Sequence, residues 1–225
     1  MPGLFVTGTD TGVGKTLVAC ALLRRLAAEG ATTAGMKPVA AGCAETAAGR
    51  VNEDVEALIA ESTVRAERAL VNPYALKEAI APHIAAARES VRIDLEHIVG
   101  CYARLAGIAR WVIVEGVAGF RVPLNDSQDT GDLARMLGLP VVVIVGVRLG
   151  CLNHAMLTRE AILSRGLRLA GWVANRIDPD MERCAENIEF LERAIAAPLL
   201  GKIPFVAADG GARVRTAAGC LTLPV

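Results

Sequence analysis

Apolar and polar positions alternate in blocks along this chain. Residues 4–8, Trp111–Glu115, Val141–Val147 and residues 169–175 are short apolar or β-branched runs bounded by glycine, proline or charge, which predicts strands. Residues 33–39 predict another strand, and Leu199–Ile203, after Pro198, a short last one. Between these runs the apolar positions recur at helical spacing. Residues 17–29 put Val18, Leu22 and Leu26 on one face, with Gly30 as the stop. Residues 55–60, 95–105, 133–137, 155–163 and 182–195 predict further helices. Strands apolar on both faces and separated by helices imply an α/β fold, a parallel sheet flanked by helices on both faces. Residues 42–49 are mostly small residues without an apolar period and predict a mobile loop. No repeat, low-complexity tract or linker divides the chain, so residues 1–225 read as a single domain.

In such a sheet, ligands bind beyond the carboxyl ends of the strands. The stretches to inspect are residues 7–16, 37–42, 115–124, 147–153 and 175–178, and each is polar or glycine-rich. The first ends in Gly14-Lys15-Thr16 at the start of a helix. A helix N-terminus presents unpaired amides and the positive end of a dipole, which suits phosphate. Lys15 would add charge at the β- and γ-phosphates, and the Thr16 hydroxyl is a hard ligand for Mg²⁺. The strict phosphate-loop pattern places a glycine five residues before Gly14, where Thr9 stands, and the nearest glycine is Gly8. The stretch therefore reads as a variant P-loop, and the fold as a P-loop-type parallel sheet.

Three other polar positions stand out. Lys37 precedes Pro38, so its backbone is extended; it is either a solvated strand-end lysine or a group aimed from the active edge. Glu115 closes an apolar strand, where a lone carboxylate is costly unless paired or metal-bound. Asp54 follows Asn52, a predicted N-cap, and serves either the helix dipole or a cation. His83 and His154 read as structural or loop hydrogen-bonding residues, since nothing near them spells a metal site.

Composition narrows the function classes. Lys+Arg and Asp+Glu balance at 24 each, which argues against nucleic acid as a partner. The longest dense apolar run, residues 139–147, is too short to cross a bilayer, and the start lacks the pattern of a signal peptide. Six scattered cysteines without a C-x-x-C pair predict reduced thiols and a cytoplasmic location.

With these residues in view, the chain resembles the dethiobiotin synthetases. The resemblance is carried by Gly8-Thr9-Asp10-Thr11-Gly12-Val13-Gly14-Lys15-Thr16, Gly35-Met36-Lys37-Pro38-Val39, Val71-Asn72-Pro73-Tyr74, Ala81-Pro82-His83 and Val114-Glu115-Gly116. It continues through Val145-Gly146-Val147-Arg148-Leu149-Gly150-Cys151-Leu152-Asn153-His154-Ala155 and Gly171-Trp172-Val173-Ala174-Asn175, spanning roughly residues 4–204. It implies ATP- and Mg²⁺-dependent closure of a ureido ring on 7,8-diaminononanoate with CO₂, by a homodimer without nucleic-acid or membrane partners. Lys37, Lys15 and Thr11 would be catalytic. Gly12, Val13, Gly14, Lys15, Thr16, Leu17, Glu115, Gly116, Val117, Ala118, Asn175, Arg176, Pro204, Phe205 and Val206 would bind the nucleotide, with Asn175 reading the adenine edge. Ala41, Gly150, Cys151 and Asn153 would meet the substrate, and Thr16, Asp54 and Glu115 the metal.

The chain departs from the family pattern at four places. Gly12 stands where some members carry glutamate, Ala41 where a hydroxyl residue is frequent, Ala118 where a glycine is usual, and Asn187 where a tyrosine is expected. Two other readings share the fold. A partitioning or division-site ATPase usually has a lysine early in the loop, and residues 8–11 contain none. A cobalamin-type amidotransferase synthetase needs a glutaminase domain, for which this chain is too short.

Overall fold

A computed structural model describes residues 3–47, 49–207 and 210–224. The elements run β1 (Gly3–Gly8), α1 (Lys15–Ala28), β2 (Thr33–Met36), β3 (Val39–Ala40), β4 (Ala44–Thr46), β5 (Gly49–Val51), α2 (Glu53–Glu61), α3 (Arg68–Val71) and β6 (Tyr74–Ala75). They continue with α4 (Pro82–Arg88), α5 (Leu95–Ile108), β7 (Trp111–Glu115), α6 (Thr130–Leu137), β8 (Val141–Val147), α7 (Cys151–Leu163), β9 (Leu169–Arg176), α8 (Cys184–Ile195), β10 (Leu199–Ile203) and α9 (Gly210–Cys220). Six strands form one parallel sheet in the order β10-β9-β8-β1-β7-β2.

The alternation of side chains along the strands sorts the core into two layers. Leu4, Val6, Ile113, Val142 and Ile144 pack with α1 and α9 through Val18, Leu22, Leu26, Ala217 and Ala218. Phe5, Val112, Val114, Val141, Val143 and Val145 face the other way, toward α5, α6, α7 and α8. Both faces are covered, so β1 and β8 are buried along their whole length. A register shift in β9 near Gly171 lets Ala170 and Val173 share one face while Trp172 and Ala174 take the other.

The predicted strand over residues 33–39 ends at Met36. Pro38 has no N–H to continue a ladder, and the chain leaves the sheet there. Val39 and Ala40 instead pair with Tyr74 and Ala75 in a separate two-stranded sheet. Residues 42–49, expected as a loop, contain β4, which forms an antiparallel hairpin with β5. Helix α7 starts at Cys151, four residues before the apolar period becomes visible. The helices α3, α4 and α9 carry too short or too small-residue a pattern to stand out in the sequence.

Candidate active site

Gly14, the N-cap of α1, lies in the left-handed region at φ 94°. A Cβ there would lie 2.3 Å from the Asn175 amide nitrogen, so only glycine fits. Thr9, standing in place of the first loop glycine, needs no such freedom. It is not among the left-handed residues, and its N–H donates to the Ile144 carbonyl at 3.0 Å. The variant loop is therefore unstrained at the position where it departs from the strict pattern.

The sheet register brings the other groups to this loop. Val6 lies level with Glu115, and Met36 with Val114. Lys37, the residue after β2, thus comes beside Glu115 at the end of β7. Its ammonium donates to Glu115 Oε1 at 2.7 Å and to Asp54 Oδ2 at 2.5 Å. The Thr16 hydroxyl donates to the same Glu115 Oε1 at 2.9 Å. Glu115 is 1% exposed, and its Oε2 has no hydrogen-bond partner. Asn52 caps α2 by accepting from the amides of Asp54 and Val55, which leaves the Asp54 carboxylate to Lys37.

The protonation states follow from these contacts. Burial works against the Lys37 ammonium, but the Glu115 and Asp54 carboxylates outweigh it and hold its pKa above the ordinary value. Burial likewise works against the Asp54 carboxylate, but Lys37 and the Thr16 hydroxyl hold its pKa below the ordinary value. Lys15 is different. Burial is the largest influence and lowers its pKa to about 8, with Glu115 opposing and Lys37 reinforcing the shift. Its ammonium donates to the Asp10 backbone carbonyl at 2.9 Å. An anionic ligand in reach of Lys15 would favour the charged form.

These groups line a cleft of about 770 Å³ at the carboxyl edge of the sheet. Among the residues singled out from the sequence, Thr11, Gly12, Gly14, Lys15, Thr16, Leu17, Lys37, Ala41, Asp54, Glu115, Val117 and Ala118 border it. Val13, within the loop, and Gly116, the residue after β7, are both buried. Asn175 is buried as well; its amide donates to the Val13 carbonyl at 2.7 Å, leaving Oδ1 unpaired. Arg176 turns to the carbonyls of Asp178 and Pro179. Pro204, Phe205 and Val206 follow β10, and Gly150, Cys151 and Asn153 lie at the start of α7; none of these six borders the cleft.

Sequence reasoning assigned no role to several contributors. Asn72, 9% exposed, donates to the Lys37 carbonyl at 2.7 Å and, with the Lys37 N–H to Val71 carbonyl bond at 2.8 Å, fixes the backbone that carries the ammonium. Its place in Val71-Asn72-Pro73-Tyr74 was the available signal. Ile80, Ala81 and Pro82 form one wall of the cleft, and Arg213 of α9 reaches it from the other end of the chain.

A phosphate loop opening α1, a buried lysine just after β2, a carboxylate at the end of the neighbouring parallel strand β7, and a second carboxylate and a hydroxyl at the starts of α2 and α1 define a P-loop nucleotide-dependent enzyme. The chain matches the AAA domain family over residues 2–210. It is 55% identical to the ATP-dependent dethiobiotin synthetase of Aromatoleum aromaticum over 98% of this chain and 96% of that protein. It is 50% identical to that of a Janthinobacterium species over 91% and 88%. The septum site-determining protein MinD of Pyrococcus horikoshii, solved with Mg-ADP, shares the fold at a TM-score of 0.56 and 14% identity, covering 98% of this chain and 86% of that one. The chain belongs to the ATP-dependent dethiobiotin synthetase family.

Proposed function

We propose that this chain, acting as one synthetase domain, joins CO₂ to 7,8-diaminononanoate in an ATP- and Mg²⁺-dependent ring closure, releasing dethiobiotin, ADP and phosphate. One amine adds to CO₂ and loses a proton to give a carbamate. A carbamate oxygen attacks the γ-phosphorus, and ADP leaves. The second amine then attacks the carbamate carbon of the mixed anhydride, and phosphate leaves with the former carbamate oxygen. The observation that carries this reading is the buried Lys37 ammonium beside Glu115 in the same cleft as the P-loop. Phosphoryl transfer needs little covalent help from the protein; positioning and compensating charge do most of the work.

The residues have distinct tasks in this reaction. The loop amides from Gly12 to Thr16, with Lys15, hold the phosphates, and Thr11 donates at the reacting end. Lys37 neutralises the carbamate and the phosphoryl group in flight. Leu17, Val117 and Ala118 pack around the nucleotide. Asn175 offers its unpaired Oδ1 on the adenine side, where Pro204, Phe205 and Val206 flank the base and Gly116 and Arg176 back the site. Ala41 faces the diamine.

Thr16, Asp54 and Glu115 fit Mg²⁺. All three offer oxygen, and the buried Glu115 Oε2 is an acceptor that a cation would satisfy. Among the described residues no group of three or more His, Cys, Asp or Glu side chains could hold a metal, which suits an ion that takes one or two carboxylates and keeps its waters. When bound, the ion supplies positive charge against the oxygens of the transferring phosphoryl group.

No helix among the described residues is long and apolar enough to cross a membrane. In this reading the enzyme works in the cytoplasm as a homodimer, with Gly150, Cys151 and Asn153 near the subunit boundary and the distal carboxylate of the substrate. The test is mass analysis after mixing protein, diamine, bicarbonate, Mg²⁺ and ATP. A product heavier than the diamine by one carbonyl in place of two hydrogens, dependent on ATP, is expected. ATP hydrolysis without that product, or hydrolysis that responds instead to DNA, lipid or glutamine, would overturn the reading.

A further inference from the structure

Three cations reach the cleft, and their surroundings differ. Lys15 is engaged by the Asp10 carbonyl, and Lys37 by Asp54 and Glu115. Arg213, in the first turn of α9, forms no hydrogen bond or ion pair with any described residue. The first turn of α9 holds no acidic residue that would neutralise it. The helix is nonetheless fixed, because Ala217 and Ala218 are buried against Val18 and Leu22 of α1. A half-buried guanidinium without a partner among the described residues thus borders the same cleft as the phosphate loop. In that loop Gly12 leaves open space, with no atom within 4 Å of where a Cβ would stand. An arginine stays charged at any working pH, and its planar fork matches the oxygens of a phosphate in two-donor geometry.

We propose that Arg213 binds a phosphate of the nucleotide, so that the C-terminal helix supplies a cation to the cleft alongside Lys15 and Lys37. The proposal rests on the nucleotide-site reading above and adds a residue and a phosphate contact to it. It makes two claims that can be separated: the contact is with ligand rather than solvent, and with phosphate rather than the base.

The experiment compares wild type, Arg213→Gln and Arg213→Lys by calorimetry with ATP, ADP and adenosine in Mg²⁺, alongside the KM for ATP in product formation. Arg213→Gln should weaken ATP and ADP by at least about tenfold, as expected for loss of a hydrogen bond to a charged group. Adenosine should bind both proteins equally, and Arg213→Lys should fall between. The KM for ATP should rise in step with the dissociation constant, with product still forming at saturating ATP. If wild type makes no product, it is the ring-closure reading that fails, while the calorimetry still judges Arg213. Unchanged ATP affinity in Arg213→Gln would make the residue a solvated surface arginine. An equal loss with adenosine would assign it to the base, and a lowered melting midpoint of the free variant would assign the effect to folding. Each of these three results overturns the proposal.

Discussion

At Lys37, just after β2, one ammonium lies 2.5 Å from the Asp54 carboxylate of α2 and 2.7 Å from the Glu115 carboxylate of β7. A buried carboxylate such as Glu115 is tolerated only while something compensates its charge. Lys37 does so together with the Thr16 hydroxyl, and Mg²⁺ is the other candidate for that role. Replacing Lys37 by Gln should lower product formation by at least ~100-fold, about 2.7 kcal/mol of transition-state stabilisation. ATP should still bind, because Lys15 and the loop amides remain. Arg at this position should recover little, since a planar fork does not fit the space of a compact ammonium. Turnover and ATP calorimetry on one preparation decide the matter. Full turnover in Lys37→Gln refutes the catalytic role, and loss of ATP binding in both variants reduces Lys37 to a nucleotide or structural contact.

Elements matter here chiefly through their ends. The turn after β7 runs Glu115-Gly116-Val117-Ala118-Gly119, and Ala118 sits in the left-handed region at φ 49°. A residue with a Cβ pays about 1–2 kcal/mol there relative to its preferred regions. Glycine would remove that strain but lose roughly 0.4–1 kcal/mol through the greater freedom of its unfolded chain. The difference favours glycine, so Ala118→Gly should stabilise the protein by about 0.5–1 kcal/mol, a rise of roughly 1–4 °C in the melting midpoint. A fall in the midpoint on thermal unfolding would show that the Ala118 methyl contributes more by packing than its backbone costs. The same logic of element ends explains Asn72, whose amide ties the segment after α3 to the Lys37 carbonyl. The lysine is therefore aimed by a buried hydrogen bond rather than by its strand alone.

Across the whole molecule, the parallel sheet gathers every candidate group at one edge and leaves the sides of the sheet for packing. Two of the most exposed large apolar side chains lie outside the cleft. Leu149 is 92% exposed just before α7, and Leu157 on that helix is 56% exposed. Both flank Gly150, Cys151 and Asn153, which the proposed dimer places near the subunit boundary. Together with the proposed dimer, this leads to an expected mass by light scattering of twice the 23.6 kDa chain. Leu149→Glu should shift the population toward a single chain, because a carboxylate facing an apolar interface would be desolvated without a partner. A wild-type chain that scatters as a monomer at micromolar concentration would refute the dimer.

Much of this was legible in the order of residues alone. The six strands of the sheet, the P-loop opening α1 and the Asn52 cap all depend on neighbours a few positions apart, so local patterns carry them. Glu115 stood out because an acid at the end of an apolar strand needs a reason. The break at Pro38 had a local signal in the missing N–H that the predicted strand over residues 33–39 passed over, whereas the β4–β5 hairpin did not show because it depends on which strands are available for pairing. Nor could the sequence decide whether Lys37 was solvated or whether Asp54 served only the helix dipole. Thr16 meets Glu115 across 99 residues, and Asn175 meets Val13 across 162. Arg213 reaches the cleft only because α9 packs on α1. Such contacts are set by strand register and helix packing, which bring distant segments together through nonlocal burial that no short-range period along the chain encodes.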